Sequence, residues 1–304
     1  MSGLLVSLQD AVVQGVLWGI MVLGVYITFK LLDIADLTVD GSFALGGCVC
    51  AVMILNFHMD PWVALAVAAI AGMAAGAVTG LLHTIFEIPA ILAGILTQIG
   101  LWSVNLRIMG GKSNVPLLKT DTIMSRFIDI TGLNKQIASL VIGIGIAVIM
   151  IALLYWFFGT EIGSAMRATG NNESMIRAQG VNTNWTKLLA LVISNGLVGI
   201  SGGLVCQSQK YADIGMGTGA IVIGLAAIVI GEVLMGRLRS FGSKLTSAVV
   251  GSVIYFVIRA VVLRMGMNAN DMKLLSAAIV AVALCVPVVV RKLRLKKSYT
   301  EGGE

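Results

Sequence analysis

Apolar residues run through this chain in stretches of about 20, separated by short polar intervals, and a stretch of that length reads as a membrane-spanning α-helix. Nine are expected, over about residues 11–29, 42–57, 63–86, 90–109, 137–158, 188–206, 220–235, 245–263 and 274–290. Membrane strands would show short segments of alternating polarity, which the sequence lacks, so the expected fold is an all-α polytopic membrane protein. The second stretch holds about 16 residues, short for a crossing at 1.5 Å per residue, and predicts a broken or partly re-entrant helix. The seventh is equally short.

The polar intervals carry the detail. Before the second span, Asp33, Asp36 and Asp40 stand directly against apolar sequence, followed by Gly41 and Ser42. Carboxylates there are expected to hold the break by accepting backbone N–H groups, in preference to touching a substrate. His58-Met-Asp-Pro61 and Glu87-Ile-Pro89 read as turns. The third span carries Gly72, Gly76 and Gly80, and the sixth Gly196, Gly199, Gly202 and Gly203, rows that let helices approach closely. Thr97, Gln98 and Asn105 in the fourth span, and Ser194 and Asn195 in the sixth, either bond to neighbouring helices or face a pathway. Residues 110–136 read as an external loop with some structure of its own.

A long polar interval covers about residues 159–187. Lying between two spans it must be in water, and its interior reads as a short helix over about 172–179. Asn171 or Asn172 fits its N-cap, Glu173 suits the positive end of the helix dipole, and Gly180 suits the position just past its end. A capped helix held at a membrane surface is something a partner protein can push on.

Shifted by 177 residues, the chain pairs Ala35-Asp36-Leu37-Thr38-Val39 with Ala212-Asp213-Ile214-Gly215-Met216, and Gly47 with Gly224. A full span precedes each match and a short one follows it. An odd number of spans separates the two, so they enter the membrane from opposite sides, as an inverted-topology repeat requires. The predicted halves cover about 11–109 and 188–290, within a single transmembrane domain spanning 1–304, and Asp213 would hold a break like that at Asp36.

Composition agrees: 58% of residues are hydrophobic, 12% are charged, and 36 are glycine, outside the soluble globular range. The net charge of +6 gathers in loops and in the RKLRLKK tail, which is read as membrane orientation and not as nucleic-acid binding. With that tail in the cytoplasm, the loops carrying Arg167, Arg177 and Lys187, and Arg237, Arg239 and Lys244, fall on the same side. Cys48, Cys50, Cys206 and Cys285 lie in or at apolar spans without metal-ligand spacing and are expected to be small buried residues. The first residues lack the basic start and cleavage site of a signal peptide, so the first span is expected to stay in the mature protein. Glu232 and Arg259 are expected to pair across adjacent spans.

The run G-x-A-x-R-A-T-G-x-N beginning at Gly163, the A-x-G-V-N at Ala178 to Asn182 and the glycine-rich span after it resemble permease subunits of ATP-binding-cassette importers of the branched-chain amino acid and ribose permease family. The opening G-V-L-W-G-I and D-L-T-V-D-G-S-F-A-L-G-G are similar to that family too, although the acidic Asp36-x-x-x-Asp40-Gly-Ser42 stands where amino acid permeases carry a neutral sequence. The departure points to a less characterised branch, some of whose members are linked to aromatic amino acids. The resemblance implies that the helix at 172–179 is a coupling helix seated on a separate ATPase, with Glu161, Arg167, Asn171, Asn172, Glu173, Arg177 and Gly180 at or near that contact. Read from their polarity within apolar sequence, Asp36, Asp40, Ser42, Thr97, Gln98, Asn195 and Asp213 are expected at the pathway or at broken helices. The resemblance also implies a second copy of the chain, an extracytoplasmic substrate-binding protein and a place in the plasma membrane.

The chain carries no G-x-x-x-x-G-K-[ST] phosphate loop, so ATP would be hydrolysed by another polypeptide. His58 and His83 stand alone and read as structural, no paired nucleophile and base is present, and neither enzyme activity, metal nor cofactor is expected. The competing reading is an ion- or proton-coupled secondary transporter, for which an inverted repeat and buried carboxylates are equally apt.

Overall fold

The computed structural model describes residues 2–118, 120–235 and 240–266, together with 271, 274, 276–282 and 285. Helix α1 (Ser2–Tyr26) runs on through a π-helical turn at Ile27–Leu31. There follow α2 (Thr38–Leu55), α3 (Pro61–Thr84) and α4 (Ala90–Ile108). Strand β1 (Asn114–Pro116) and α5 (Ile123–Thr131) lead to α6 (Lys135–Gly159). Two short helices, α7 (Glu161–Asn171) and α8 (Glu173–Ala178), precede α9 (Thr183–Gln209). Strand β2 (Tyr211–Asp213), α10 (Ala220–Met235) and α11 (Phe241–Arg264) complete the order. The expected all-α architecture holds, with one addition: β1 and β2 form a short antiparallel ladder in which Asn114 faces Asp213.

Local chemistry starts and stops these helices. Asp60 caps α3, accepting from the Trp62 N–H at 2.9 Å with Pro61 in the first turn, where its missing N–H costs nothing. Thr122 and Ser125 form a reciprocal capping box on α5, and Gly132 closes it in the left-handed region at φ +66°. An ion pair between Asp60 and Arg126 fastens the two starts together.

Among the described residues, seven helices are long and apolar enough to cross a membrane, and α10 is a shorter apolar helix. The sequence expectation of nine is thus approximate; the ninth stretch, about 274–290, is described only at 274, 276–282 and 285, and the RKLRLKK tail, Arg237 and Arg239 lie outside the described residues. Three spans form the interior: 83% of the apolar stretch in each of α1 and α2 and 72% of that in α9 is buried inside the protein. By contrast α4 and α6, at 28% and 33%, present most of their surface outward.

Helix α9 is the axis. Its backbone is met by α3 at Gly72 and Gly76, where an added Cβ would collide with the carbonyl oxygens of Asn195 and Leu191, and by α2 at Gly46, which lies on Gly199. Small residues permit these approaches, and hydroxyls supply the polar attachment, Ser194 Oγ donating to the Gly24 carbonyl and Ser201 Oγ to that of Leu17, both at 2.8 Å. On the other flank α1 lies against α11, with Gly15 on Val253 and Gly19 on Val249.

Several expectations are corrected. Helix α2 starts at Thr38, not near residue 42, so Asp40 and Ser42 lie inside its first turns; it reaches 18 residues, and the break precedes it at residues 32–37. The chain leaves the helix there through Asp33, at φ +56°. The interval at 159–187 holds two helices where one was expected, because Thr160 caps a further helix of 11 residues, about three turns of amphipathic sequence. Cys48, Cys50 and Cys206 are buried, but Cys285 is exposed. Glu232 pairs with Lys30 at 2.9 Å and not with Arg259. The contacts of Gly231 with Ser247 and of Gly251 with Ala227 set α10 and α11 antiparallel, which puts Arg259 level with the start of α10 and Glu232 near its end. That is roughly 20 Å of helix apart.

Two outcomes follow from this packing. Gly72→Leu is expected to lose about 1–3 kcal/mol or to fail to fold, whereas Gly145→Leu, with nothing near its Cβ position, leaves thermal unfolding in detergent unchanged; equal melting of the two would contradict the α3–α9 contact. Lys30→Glu should destabilise and the swap Lys30→Glu/Glu232→Lys recover, by up to about 1 kcal/mol for a half-exposed pair. No such recovery is expected from swapping Glu232 with Arg259.

Candidate functional site

Helices α7 and α8 project from one end of the bundle. Thr160 begins α7: its hydroxyl accepts from the Gly163 N–H at 3.3 Å and donates to the Phe157 carbonyl at 2.6 Å. The α7 helix then packs inward. Met166 is fully buried, Thr169 Oγ1 lies 3.0 Å from Thr186 Oγ1 of α9, and Gly170 rests on the Leu31 carbonyl at the end of the π-helical turn, a place no side chain could occupy. Asn172, the cap of α8, accepts from the Met175 N–H at 3.1 Å, and Gly180 reverses the chain at φ +86°, where glycine is favoured.

Glu173 ties α8 to α9. Its carboxylate accepts from Lys187 Nζ at 2.7 Å, Arg177 Nη2 at 2.9 Å and Thr183 Oγ1 at 3.0 Å. The Lys187 hydrogen bond, above all, holds this carboxyl below its ordinary range. Arg177 also donates to Thr183 Oγ1 at 2.6 Å and to Asn184 Oδ1 at 3.3 Å, and Asn184 in turn donates to the Thr84 carbonyl of α3 at 3.1 Å. Beside this brace lies a polar groove of about 480 Å³ between His83 and Glu87 on one wall and Arg177, Asn182 and Lys187 on the other.

Of the residues expected at a partner contact, Glu173 and Arg177 are therefore engaged in holding α8 in place. Arg167 donates to Ser164 Oγ at 3.3 Å and stands over the Phe241 ring at 5.4 Å. Glu161, Asn171 and Asn172 are exposed, as are Ser174, Met175 and Gln179 on the outer side of α8. Sequence reasoning missed Lys187, Thr183 and Asn184. The Glu173–Arg177 spacing of four was a visible helical pair, but nothing in periodicity links α8 to the first turn of α9.

The deeper candidates fall into three places. Asp36 is buried and accepts from the Thr38 N–H at 2.9 Å and from Asn195 Nδ2 at 2.7 Å. From Thr38 a chain of hydroxyls crosses to Thr79 at 2.7 Å and on to Thr97 at 2.9 Å, joining α2, α3 and α4. Asp213 makes the same turn as Asp36, accepting from the Gly215 N–H at 2.7 Å, but beside Asn114 of the ladder. Asp40 reaches across to α10, accepting from the Gly219 and Ile221 N–H groups at 2.8 and 3.0 Å, so it caps the helix of the other half, not its own break. Ser42 is buried without a hydrogen-bond partner among the described residues, and Gln98 is half-buried with its backbone next to Gly41. Thr97, Asn105 and Asn195 thus bond between helices: Asn105 Nδ2 donates to the Gly41 carbonyl at 3.5 Å. His83 Nδ1 lies 2.9 Å from the Ile88 carbonyl, within a turn. Among the described residues no three of His, Cys, Asp and Glu converge as metal ligands would.

At the end opposite α8 a cavity of about 800 Å³ opens between α1, α9 and α11, with Asp10, Gln14, Trp18, Gln209, Phe256 and Arg259 in its walls. None of these had been expected at a pathway.

Comparison with known proteins fits this geometry. A family described as branched-chain amino acid transport system / permease component matches residues 7–284. The chain is 37% identical over 280 residues to a tyrosine transport system permease protein of Clostridioides difficile, covering 92% of this chain and 90% of that one. It is 25% identical over 219 residues to the ribose import permease protein of Escherichia coli K12, covering 71% and 67%. Among solved structures, PsaBC from Streptococcus pneumoniae in complex with Fab shares the fold, with a TM-score of 0.51 at 16% identity over 90% of both chains. The chain belongs to the family of branched-chain amino acid transport system permease components.

Proposed function

We propose that this chain is the membrane-spanning subunit of an ATP-binding-cassette importer that moves a small solute, an amino acid, into the cytoplasm with ATP hydrolysed by a partner. The observation that carries it is α8: a six-residue capped helix, braced from behind by Glu173 and Arg177 and leaving Met175 exposed at its outer face, in a chain of the permease family. The name of the Clostridioides relative supports an amino acid, and an aromatic one, as cargo. A mechanical input suits the fixed brace, and no observation favours ion coupling instead.

In this reading α8 faces the cytoplasm with the C-terminal tail, the working unit contains two copies of the chain and two ATPases, and an extracytoplasmic binding protein delivers cargo at the end carrying the β1–β2 ladder. The halves at about 11–109 and 188–290 act as inverted copies. Support comes from the matching turns at Asp36 and Asp213, 177 positions apart, and from the way α1 lies on α11 as α3 lies on α9.

Met175→Glu puts a charge on the exposed face of α8 without touching its brace. It is expected to reduce ATP-driven uptake, or recovery of the ATPase with the permease, by at least about tenfold, a loss of roughly 1.4 kcal/mol of interaction, with unchanged thermal unfolding. Normal uptake and assembly would remove α8 from the contact. Because the Glu173 carboxyl is depressed in the folded protein, its stabilising bonds are complete above the ordinary glutamate range near pH ~4.3 and are lost only as pH falls through the lower folded value. Hydrogen exchange of the α8 amides, corrected for intrinsic rates, should therefore stay flat from neutral pH down to about pH 5, and be raised throughout in Glu173→Gln; protection already fading near neutrality would contradict the brace.

A further inference from the structure

The cavity opposite α8 carries chemistry that the fold does not need. Its walls bring together one acid, two amides, three aromatic rings and two guanidiniums, Arg259 and, nearer the end of α11, Arg264, which donates to Ser7 Oγ of α1 at 2.8 Å. The register of the helices fixes their levels. Gly15 lies on Val253 and Gly19 on Val249, so moving down α1 by a residue moves up α11 by one, and Asp10 falls opposite Ile258, beside Arg259. The carboxylate and the guanidinium thus line the cavity at the same depth, yet among the described residues no ion pair joins them.

Deeper in, the Trp18 and Phe256 rings lie 5.5 Å apart, and the Arg259 guanidinium stands 5.8 Å over the Phe256 ring. Trp18 is backed by Phe43 at 4.4 Å, which fixes the wall it presents. Asp10 to Trp18 is roughly 12 Å along α1, and Phe256, level with Val12 by the same register, begins the aromatic wall directly beside the charged level. Between Asp10 and Trp18, Gln209 Nε2 donates to Gln14 Oε1 at 3.3 Å, which leaves the Gln14 amide N–H groups and the Gln209 carbonyl oxygen for another partner. Charged groups facing a cavity at the membrane are costly unless something matches them. Opposite charges at one level that do not neutralise each other match a ligand carrying both, and a volume of about 800 Å³ lies within the range of small-molecule sites.

We propose that this cavity is a substrate site within the permease itself, which holds a zwitterionic aromatic amino acid with its carboxylate on Arg259, its ammonium on Asp10 and its ring against Trp18 and Phe256. The proposal rests on the amino-acid importer reading above and deepens it, since selectivity then resides in the membrane subunit as well as in any binding protein.

The test uses the permease–ATPase complex in nanodiscs, without binding protein, and three probes: L-tyrosine, tyramine, which lacks the carboxylate, and 3-(4-hydroxyphenyl)propionate, which lacks the ammonium. Arg259→Gln is expected to weaken L-tyrosine at least tenfold while leaving tyramine unchanged. Asp10→Asn should weaken L-tyrosine similarly and leave the propionate unchanged, and Phe256→Leu should weaken all three. Such crossed selectivity cannot arise from misfolding. Wild-type complex that binds no L-tyrosine at millimolar concentration, or Arg259 and Asp10 variants that shift all probes alike or none, would overturn the site. ATP-driven uptake of L-tyrosine by wild-type proteoliposomes supplied with binding protein is measured in parallel: uptake that persists when the binding results fail rejects the cavity and keeps the importer, whereas binding without ATP-driven uptake keeps the cavity and rejects the importer.

Discussion

Backbone that leaves a helix inside an apolar protein must find its hydrogen-bond partners there, and at residues 32–37 it finds them through the carboxylate of Asp36. One oxygen replaces the missing helical acceptor for the Thr38 N–H and so starts α2; the other takes the Asn195 amide of α9. Asn195 stands near the middle of a 27-residue helix, so the break is anchored at depth and not at a surface. Removing either partner would leave a buried polar group unmatched, and the start of α2, the hydroxyl chain through Thr79 to Thr97 and the α3 glycine contact at the Asn195 carbonyl all lie within one or two bonds of it.

The same break is what α7 touches. Gly170 rests on the Leu31 carbonyl, one residue before the chain turns, and Thr169 meets Thr186 on α9. Under the proposed coupling role, a force on α8 would pass through the Glu173 brace into the first turn of α9, and through α7 into the π-helical turn that ends α1. Both routes converge on elements joined by the Asp36–Asn195 hydrogen bond. A π-helical turn is a natural place for this, since its hydrogen bonds can be redistributed without unfolding the helix.

Much of this was legible in order along the chain. The apolar stretches gave eight of the described helices, seven to within about five residues and α1 apart from its start, which lies nine residues before the expected residue 11; Asn172 and Gly180 gave the ends of α8, and the 177-residue offset found the two aspartate turns because each is a local feature, made within three residues. What could not be read is what a neighbouring helix decides. Asp40 looked like a member of the local acidic cluster, but it caps α10, 180 residues away, because the helix starts of the two halves meet. Glu232 found Lys30 and not Arg259 because charge complementarity says nothing of register, and two antiparallel helices can carry opposite charges at opposite ends. The cavity was invisible for the same reason: its acid, amides and rings come from three helices, and each residue alone resembles ordinary helix content.

Helix α1, like α9 and α11, reaches both ends. Its first half lines the cavity with Asp10, Gln14 and Trp18, and its last turn carries Lys30, paired with Glu232, before the π-helical turn gives way to the break. Between these points it is packed almost completely, with Leu17, Ile20, Met21 and Leu23 fully buried. A close-packed helix transmits displacement and does not absorb it, so a shift imposed on its end by α7 must reappear at the cavity or be taken up at the α1–α11 contact, where Gly15 and Gly19 allow one backbone to slide over the other. The polar cavity at one end and the ion pair at the other are then two readings of a single rigid rod. A tilt of α1 about its glycine contacts must carry α9 with it, since Ser194 and Ser201 hydrogen-bond the Gly24 and Leu17 carbonyls.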